Sequence, residues 1–223
     1  MISAVSTISP ISEAARETAR ALLSIGAIHG NPREPFKLTS GRLSPVYLDC
    51  RKLISFPAER AKLMDLVVAL IKREAGTIDA VAGGETAGIP FAAWISERMT
   101  LPMLYVRKQP KGFGRNAQIE GGMKEGPRVL LVEDLTTDGG SKVNVVNALR
   151  KAGAAVAHTF VIFHYGIFAA STQTLESLGV KLLALATWRD VVAVAEQEKF
   201  FDAAQLAAIK AYIDNPETWR PAT

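Results

Sequence analysis

Cysteine occurs once in the 223 residues and histidine three times. The lone Cys50 excludes an internal disulfide and reads as a buried filler. With only His29, His158 and His164 beside it, a structural Cys/His zinc site is hard to assemble, so any metal is expected to arrive with a ligand. Long apolar runs are missing too, and none approaches the roughly 18 to 20 residues that a membrane span needs. Met1-Ile2-Ser3-Ala4 carries neither the basic region nor the apolar stretch of a secretory signal, so a cytoplasmic location is expected. Internal repeats and low-complexity tracts are also lacking. Two phosphate motifs fail on spacing: Gly139-Gly140-Ser141-Lys142 has no earlier glycine where a Walker A loop needs one, and Gly83-Gly84-Glu85-Thr86-Ala87-Gly88 is not a dinucleotide turn.

What is present is enough to build a core: 48% of residues are hydrophobic and 22% charged. The formal net charge of +4 favours anionic ligands. Ser9-Pro10, apolar residues at Ile11, Ala15, Ala19, Leu22 and Leu23, and Gly26 beyond them predict a capped amphipathic helix. From Pro57 helices and apolar runs alternate. Helices are expected near 57–74, 89–99, 141–152 and 172–178, and strands at 79–82, 103–106, 129–132, 157–163 and 181–186, with helical segments to the end. This alternation implies an α/β fold, a mostly parallel sheet flanked by helices, whose ligands gather beyond the carboxyl ends of the strands. One domain is expected over 1–223, with an N-terminal segment to about residue 55 and C-terminal helices over about 188–223.

The most informative segment runs Val129-Leu130-Leu131-Val132-Glu133-Asp134-Leu135-Thr136-Thr137-Asp138-Gly139-Gly140-Ser141. A buried strand delivers two carboxylates, acceptor-only groups suited to a ribose diol. The hydroxyl- and glycine-rich turn that follows can wrap a phosphate at a helix N-terminus. Read blandly, the acids cap a strand and the glycines make a turn, but the combination is much rarer than either part. A second feature is a basic loop: Arg107, Lys108, Lys111 and Arg115 stand with Pro110, Gly112 and Gly114 and no acidic residue. Such clusters are usually solvated surface, yet cations on backbone unfit for helix or strand suit a lid over an anionic ligand. His164 reads as a packed strand-end residue rather than a catalyst.

The 129–141 segment resembles the phosphoribosyl pyrophosphate signature of type I phosphoribosyltransferases. Three further stretches narrow the resemblance to the orotate phosphoribosyltransferases: Phe36-Lys37-Leu38-Thr39-Ser40-Gly41-Arg42-Leu43-Ser44-Pro45 with Tyr47, Gly83 to Pro90, and Arg107 to Gly114. The resemblance implies a small N-terminal hood, a mobile basic loop, and a homodimer in which the loop at 107–115 serves the neighbouring subunit's site. It implies that Arg107, Lys108 and Lys111 meet the pyrophosphate and that Glu133 and Asp134 face the ribose. Leu135 continues that run, and Thr136, Thr137, Asp138, Gly139, Gly140 and Ser141 hold the 5′-phosphate, with Thr137 also approaching orotate. Catalysis would fall to Lys108, Lys111 and Asp134 with a Mg2+ held mainly by the substrate, and no covalent nucleophile is needed. Asp138 is a candidate general acid. Neither a nucleic acid nor a membrane is an expected partner.

The chain departs from the family's usual pattern in several places. Phe113 stands where many members have histidine, Thr39 and Ala87 where lysine is frequent, and Val161-Ile162-Phe163-His164-Tyr165-Gly166 offers no arginine for the orotate carboxylate. The 129–141 segment alone would serve equally in a purine-base phosphoribosyltransferase. A non-catalytic sensor of phosphoribosyl pyrophosphate is the other alternative; against it, such a regulator has no need of the loop lysines, and this sequence shows no helix-turn-helix segment before the core.

Overall fold

The computed structural model describes residues 11–38, 41–110, 118–137 and 139–221. Its centre is a six-stranded sheet built from β5 (Ala80–Gly84), β6 (Met103–Val106), β7 (Ile119–Glu120), β8 (Arg128–Thr136), β9 (Ala155–His164) and β10 (Lys181–Thr187). The order is β10-β9-β8-β5-β6-β7, parallel except for the two-residue edge strand β7. Both faces of β8 are covered, which is why it reads as an unbroken apolar run. Leu130 and Val132 belong to the core layer that also takes in α1 (Glu13–Ser24), α2 (Pro57–Glu74), α3 (Gly88–Met99), α6 (Trp188–Gln197) and α7 (Ala203–Asp214). Val129 and Leu131, one residue out of phase, face α4 (Gly140–Lys151) and α5 (Ala169–Ser177).

The main helices and sheet strands lie where periodicity puts them. The first helix starts later than Ser9-Pro10 suggests, because Ser12 caps it by accepting from the Ala15 amide at 3.1 Å. Gly26, at φ +64°, ends it with a left-handed turn that an L side chain would strain. At the sheet end away from the strands' carboxyl termini, Asp79 takes the Arg128 guanidinium in two bonds of 2.7 and 2.8 Å, which fixes the β5–β8 register.

Between α1 and α2 the chain forms two small antiparallel pairs, β1 (Ile28–Gly30) with β4 (Val46–Leu48) and β2 (Phe36–Lys37) with β3 (Leu43–Ser44), then a 3-10 helix at Cys50–Ser55. These strands of two or three residues carry no alternation long enough to be read from sequence. Cys50 is fully buried, and burial raises its thiol pKa well above the ordinary value.

Candidate active site

The sheet changes direction at its middle. Strand β5 crosses over through α3 to β6, whereas β8 crosses through α4 to β9 on the other side, so a crevice opens at the carboxyl ends of β5 and β8. The pairing shows how. Strand β8 pairs with β5 only as far as Val132, opposite Gly83, but continues against β9 through Thr136, opposite His164. Glu133 and Asp134 therefore lie inside a strand, one edge of which has lost its neighbour. The sequence suggested that the strand stops at Val132; the extra four residues are held by β9, which is itself longer than expected.

Three glycines make room for the acids. A Cβ on Gly84 would stand 2.6 Å from the Glu133 carboxyl carbon, and one on Gly88 would press the Val132 carbonyl, with its carbon at 3.2 Å. A Cβ on Gly83 would meet the Gly88 carbonyl oxygen at 2.8 Å. The Gly83–Gly88 stretch is thus a close-packed step that lets the start of α3 and the Glu133 side chain sit directly on the sheet.

Burial dominates the electrostatics of the pair. Desolvation raises Glu133 to about 7, with the Lys142 ammonium opposing, Asp134 adding to the rise and Lys108 opposing. Asp134 is raised for the same first reason, opposed by the Leu135 amide and by Lys142. Lys142 is 2% exposed and donates to the Leu135 carbonyl at 3.0 Å. A buried cation behind two partly buried acids was not evident from the sequence. Its only sequence signal is a lysine at the third position of a helix that otherwise turns apolar residues inward. His164 Nε2 lies 2.8 Å from the Ser171 hydroxyl, which donates to the Phe168 carbonyl at 2.9 Å, so the imidazole N–H donates to Ser171. Burial lowers the His164 pKa, and the residue is a strand-end packing group.

After Thr136 the chain turns into α4. Gly139 sits at φ +82° as its N-cap, and Gly140 and Ser141 open the helix, whose N-terminus faces the same crevice as the acids. Arg107 and Lys108 follow β6. The Lys108 amide donates to the Glu85 carboxylate at 2.8 Å, and the Arg107 backbone exchanges bonds with Gln118, amide to carbonyl at 2.8 Å and side-chain amide to carbonyl at 3.0 Å. The Arg107 guanidinium is directed to Glu120 at 3.8 Å. Glu85 and Gln118 were not singled out from sequence, yet they fix the base of the basic loop. Lys111, Phe113, Arg115 and Asp138, and Thr39 in the hood, lie outside the described residues.

Above the crevice is an open cavity of about 770 Å3. Asp134, Leu135 and Thr137 form its sheet side, and Tyr165 and Phe168, nearly parallel with ring centroids 6.5 Å apart, form one end. The hood contributes Lys37, Arg42, Tyr47 and Arg51. Arg51 is tied to Asp49 at 2.7 Å. The site thus joins paired acids, a helix N-terminus, and an aromatic, cation-rimmed chamber, an arrangement able to hold a polyhydroxylated phosphate ester next to a flat anionic ring. Among the described residues no helix is long and apolar enough to cross a membrane.

Residues 55–181 match the phosphoribosyl transferase domain family. The orotate phosphoribosyltransferase of Roseobacter denitrificans is 58% identical over 212 residues, 94% of each chain. The crystal structure of orotate phosphoribosyltransferase from Aeropyrum pernix superposes with a TM-score of 0.68 at 30% identity, covering 82% of this chain and 99% of that one. The UMP synthase of Leishmania donovani superposes with a TM-score of 0.74 at 28% identity over 89% of this chain, which spans 42% of that longer protein. With a type I phosphoribosyltransferase sheet, its acids at the switch point and a near full-length match at this identity, the chain belongs to the orotate phosphoribosyltransferase family.

Proposed function

We propose that the chain transfers the 5-phosphoribosyl group of phosphoribosyl pyrophosphate to N1 of orotate, giving orotidine 5′-monophosphate and pyrophosphate, as a step of de novo pyrimidine (UMP) synthesis in the cytoplasm. The observation that carries this reading is the free edge of β8 beyond Val132, where Glu133 and Asp134 precede the turn into α4 and Asp134 lines the aromatic chamber. Glu133 and Asp134 accept from the ribose hydroxyls, and the Thr136–Ser141 turn takes the 5′-phosphate. Thr137, which lines the chamber, reaches the base. Breaking the C1–pyrophosphate bond leaves positive charge on the sugar and negative charge on the leaving group; Asp134 serves the first and Arg107, Lys108 and Lys111 the second. The lone pair of N1 forms the new bond at C1 while the old bonding pair leaves with pyrophosphate, whose oxygens take up the proton lost from N1.

A hard, oxygen-seeking cation suits this site. Two partly buried carboxylates offer acceptor oxygens, but among the described residues no three His, Cys, Asp or Glu side chains are grouped to cage a metal. A Mg2+ bound mainly by the pyrophosphate and ribose oxygens would supply charge neutralisation of the leaving group. We read residues 1–223 as one domain whose hood roofs the chamber. We further propose a homodimer in which loop 107–115 closes over the partner's crevice. The test is the loss of orotate absorbance with phosphoribosyl pyrophosphate and Mg2+. Turnover that persists in excess chelator rejects the metal, and product formed with hypoxanthine or adenine but not orotate rejects the substrate.

A further inference from the structure

Three cations rim the chamber, and their settings differ. Arg51 is held by its near neighbour Asp49, which takes both its backbone amide at 3.1 Å and its side chain at 2.7 Å, and its charge acts on Asp134 at the ribose end. Lys37 extends from β2 opposite Leu43 and is exposed. Arg42 is different. Its guanidinium lies 5.0 Å from the centre of the Phe168 ring, at the aromatic end of the chamber, and its main chain is fixed by the Leu38 amide donating to the Arg42 carbonyl at 2.8 Å.

Arg42 also meets a carboxylate from far along the chain. Its Nη2 is 2.9 Å from Glu217, in the segment that follows α7. That segment is anchored by Trp219, which packs edge-on against Tyr212 at 5.9 Å and donates its amide to the Asn215 carbonyl at 3.0 Å. Arg42 thereby forms a wall between the base chamber and a second cavity of about 680 Å3 along residues 214–218. The side chains of Arg42 and Glu217 are 42% and 62% exposed, so their pair is weak and exchangeable. A guanidinium stacked on an aromatic ring presents a flat fork that matches a carboxylate lying in the plane of a flat base.

Building on the orotate reading, we propose that Arg42 recognises the carboxylate of orotate, and that Glu217 occupies the same fork until the substrate displaces it. The C-terminal segment then competes with orotate for one guanidinium and sets the orotate KM. The phosphoribosyl end is served by other cations, Arg107 and Lys108 among them, so phosphoribosyl pyrophosphate is indifferent to the Arg42–Glu217 pair.

The experiment measures orotate and phosphoribosyl pyrophosphate KM separately, with melting temperatures, for the full chain and its Arg42→Gln, Lys37→Gln, Glu217→Gln and Arg42→Gln/Glu217→Gln variants. A lost charged hydrogen bond predicts that Arg42→Gln raises the orotate KM about tenfold or more, with the phosphoribosyl pyrophosphate KM within about twofold. Removal of a weak exposed competitor predicts that Glu217→Gln lowers the orotate KM about two- to fivefold. That gain vanishes when Arg42 is already glutamine. Should Arg42→Gln fold poorly, Arg42→Lys, which keeps the charge and loses the fork, is expected to raise the orotate KM to an intermediate value. An unchanged orotate KM in the Arg42 variants, an equal rise for both substrates, a larger effect from Lys37→Gln, or a raised KM in Glu217→Gln each overturns the proposal. A wild-type protein that leaves orotate untouched instead overturns the functional reading beneath it, and this inference with it.

Discussion

Alanine at Gly88 and alanine at Gly84 add the same methyl group within a few residues of each other, and their consequences should separate. On backbone grounds both are tolerable, since neither glycine has a positive φ, and the smaller entropy of the unfolded chain favours alanine by about 0.4–1 kcal/mol. At Gly88 the new Cβ meets the main chain of central strand β8: the Val132 carbonyl carbon at 3.2 Å, its oxygen closer still, and the Glu133 Cα at 3.3 Å. Neither the strand nor α3 can move alone. Overpacking of this kind costs about 1–3 kcal/mol, and the rigid partner puts it at the upper end. For a chain of this length each kcal/mol lowers Tm by about 2–4 °C, so an upper-end cost of about 3 kcal/mol less the backbone gain should make Gly88→Ala melt roughly 4–10 °C below wild type. At Gly84 the obstacle is the Glu133 carboxyl group, the end of a side chain that can swing away. A displaced rotamer costs about 0.5–1.5 kcal/mol, largely offset by the backbone gain, so Tm should move by no more than about 3 °C. If Glu133 holds the ribose as proposed, the dislodged carboxylate no longer faces it, and kcat/KM should fall at least about tenfold, equivalent to about 1.4 kcal/mol. Thermal melts and orotate-absorbance kinetics on both variants decide the matter. Equal losses of Tm, or a Gly84→Ala enzyme with wild-type turnover, would refute the reasoning.

Asp134→Asn, which replaces an ionised acceptor beside a developing cation by an amide, is expected to lower kcat/KM by at least about tenfold while leaving the melting curve in place. Glu133 binds its proton more tightly folded, at about 7, than unfolded. Between its ordinary value of 4.5 and that value the native state holds the extra proton, so stability of the ligand-free protein should fall as pH rises through this window. Glu133→Gln should flatten that slope in urea titrations at pH 5 and 8; an unchanged slope would rule out Glu133 as its source. Mixing Lys108→Ala/Lys111→Ala subunits with Asp134→Ala subunits should restore roughly a quarter of wild-type activity if loops act in trans, because half the random dimers are mixed and each rebuilds one of two sites. Refolded mixtures whose exchange is shown by mass labelling, yet which stay inactive, would exclude the shared site.

Sequence made the sheet legible because its strands are buried on both faces and its helices are long enough to show their period. Glu133 and Asp134 were legible for a related reason: two acids directly after four apolar residues are costly to bury unless they serve a ligand. The hood was legible only through the family resemblance and not from periodicity. Its pairs, such as Phe36 with Ser44, span two or three residues, and what they build depends on contacts far away in sequence. The same holds for Lys142, whose role behind the acids depends on where α4 starts, and for Glu217, 175 positions from its partner Arg42 and outside any motif. Gly83, Gly84 and Gly88 were visible as a cluster. Their physical cause, the passage of Glu133 across β5, appears only once β5 and β8 are adjacent.

The strand order has a bearing on how the site would open. Glu133 to Thr136 sit on β8 near the middle of six strands, whereas Arg107 and Lys108 leave β6, whose outer neighbour β7 is a two-residue edge. Those amides of the first group that pair with β9 should exchange with solvent only through near-global unfolding, and those around Arg107 through local fraying. On the proposed roles, the residues for the sugar are therefore built into the interior of the sheet, and those for the leaving group are hung near its edge. Deuterium uptake followed along the chain should rise stepwise from β8 toward β7, and binding of a pyrophosphate-bearing ligand should slow it mainly at the outer end.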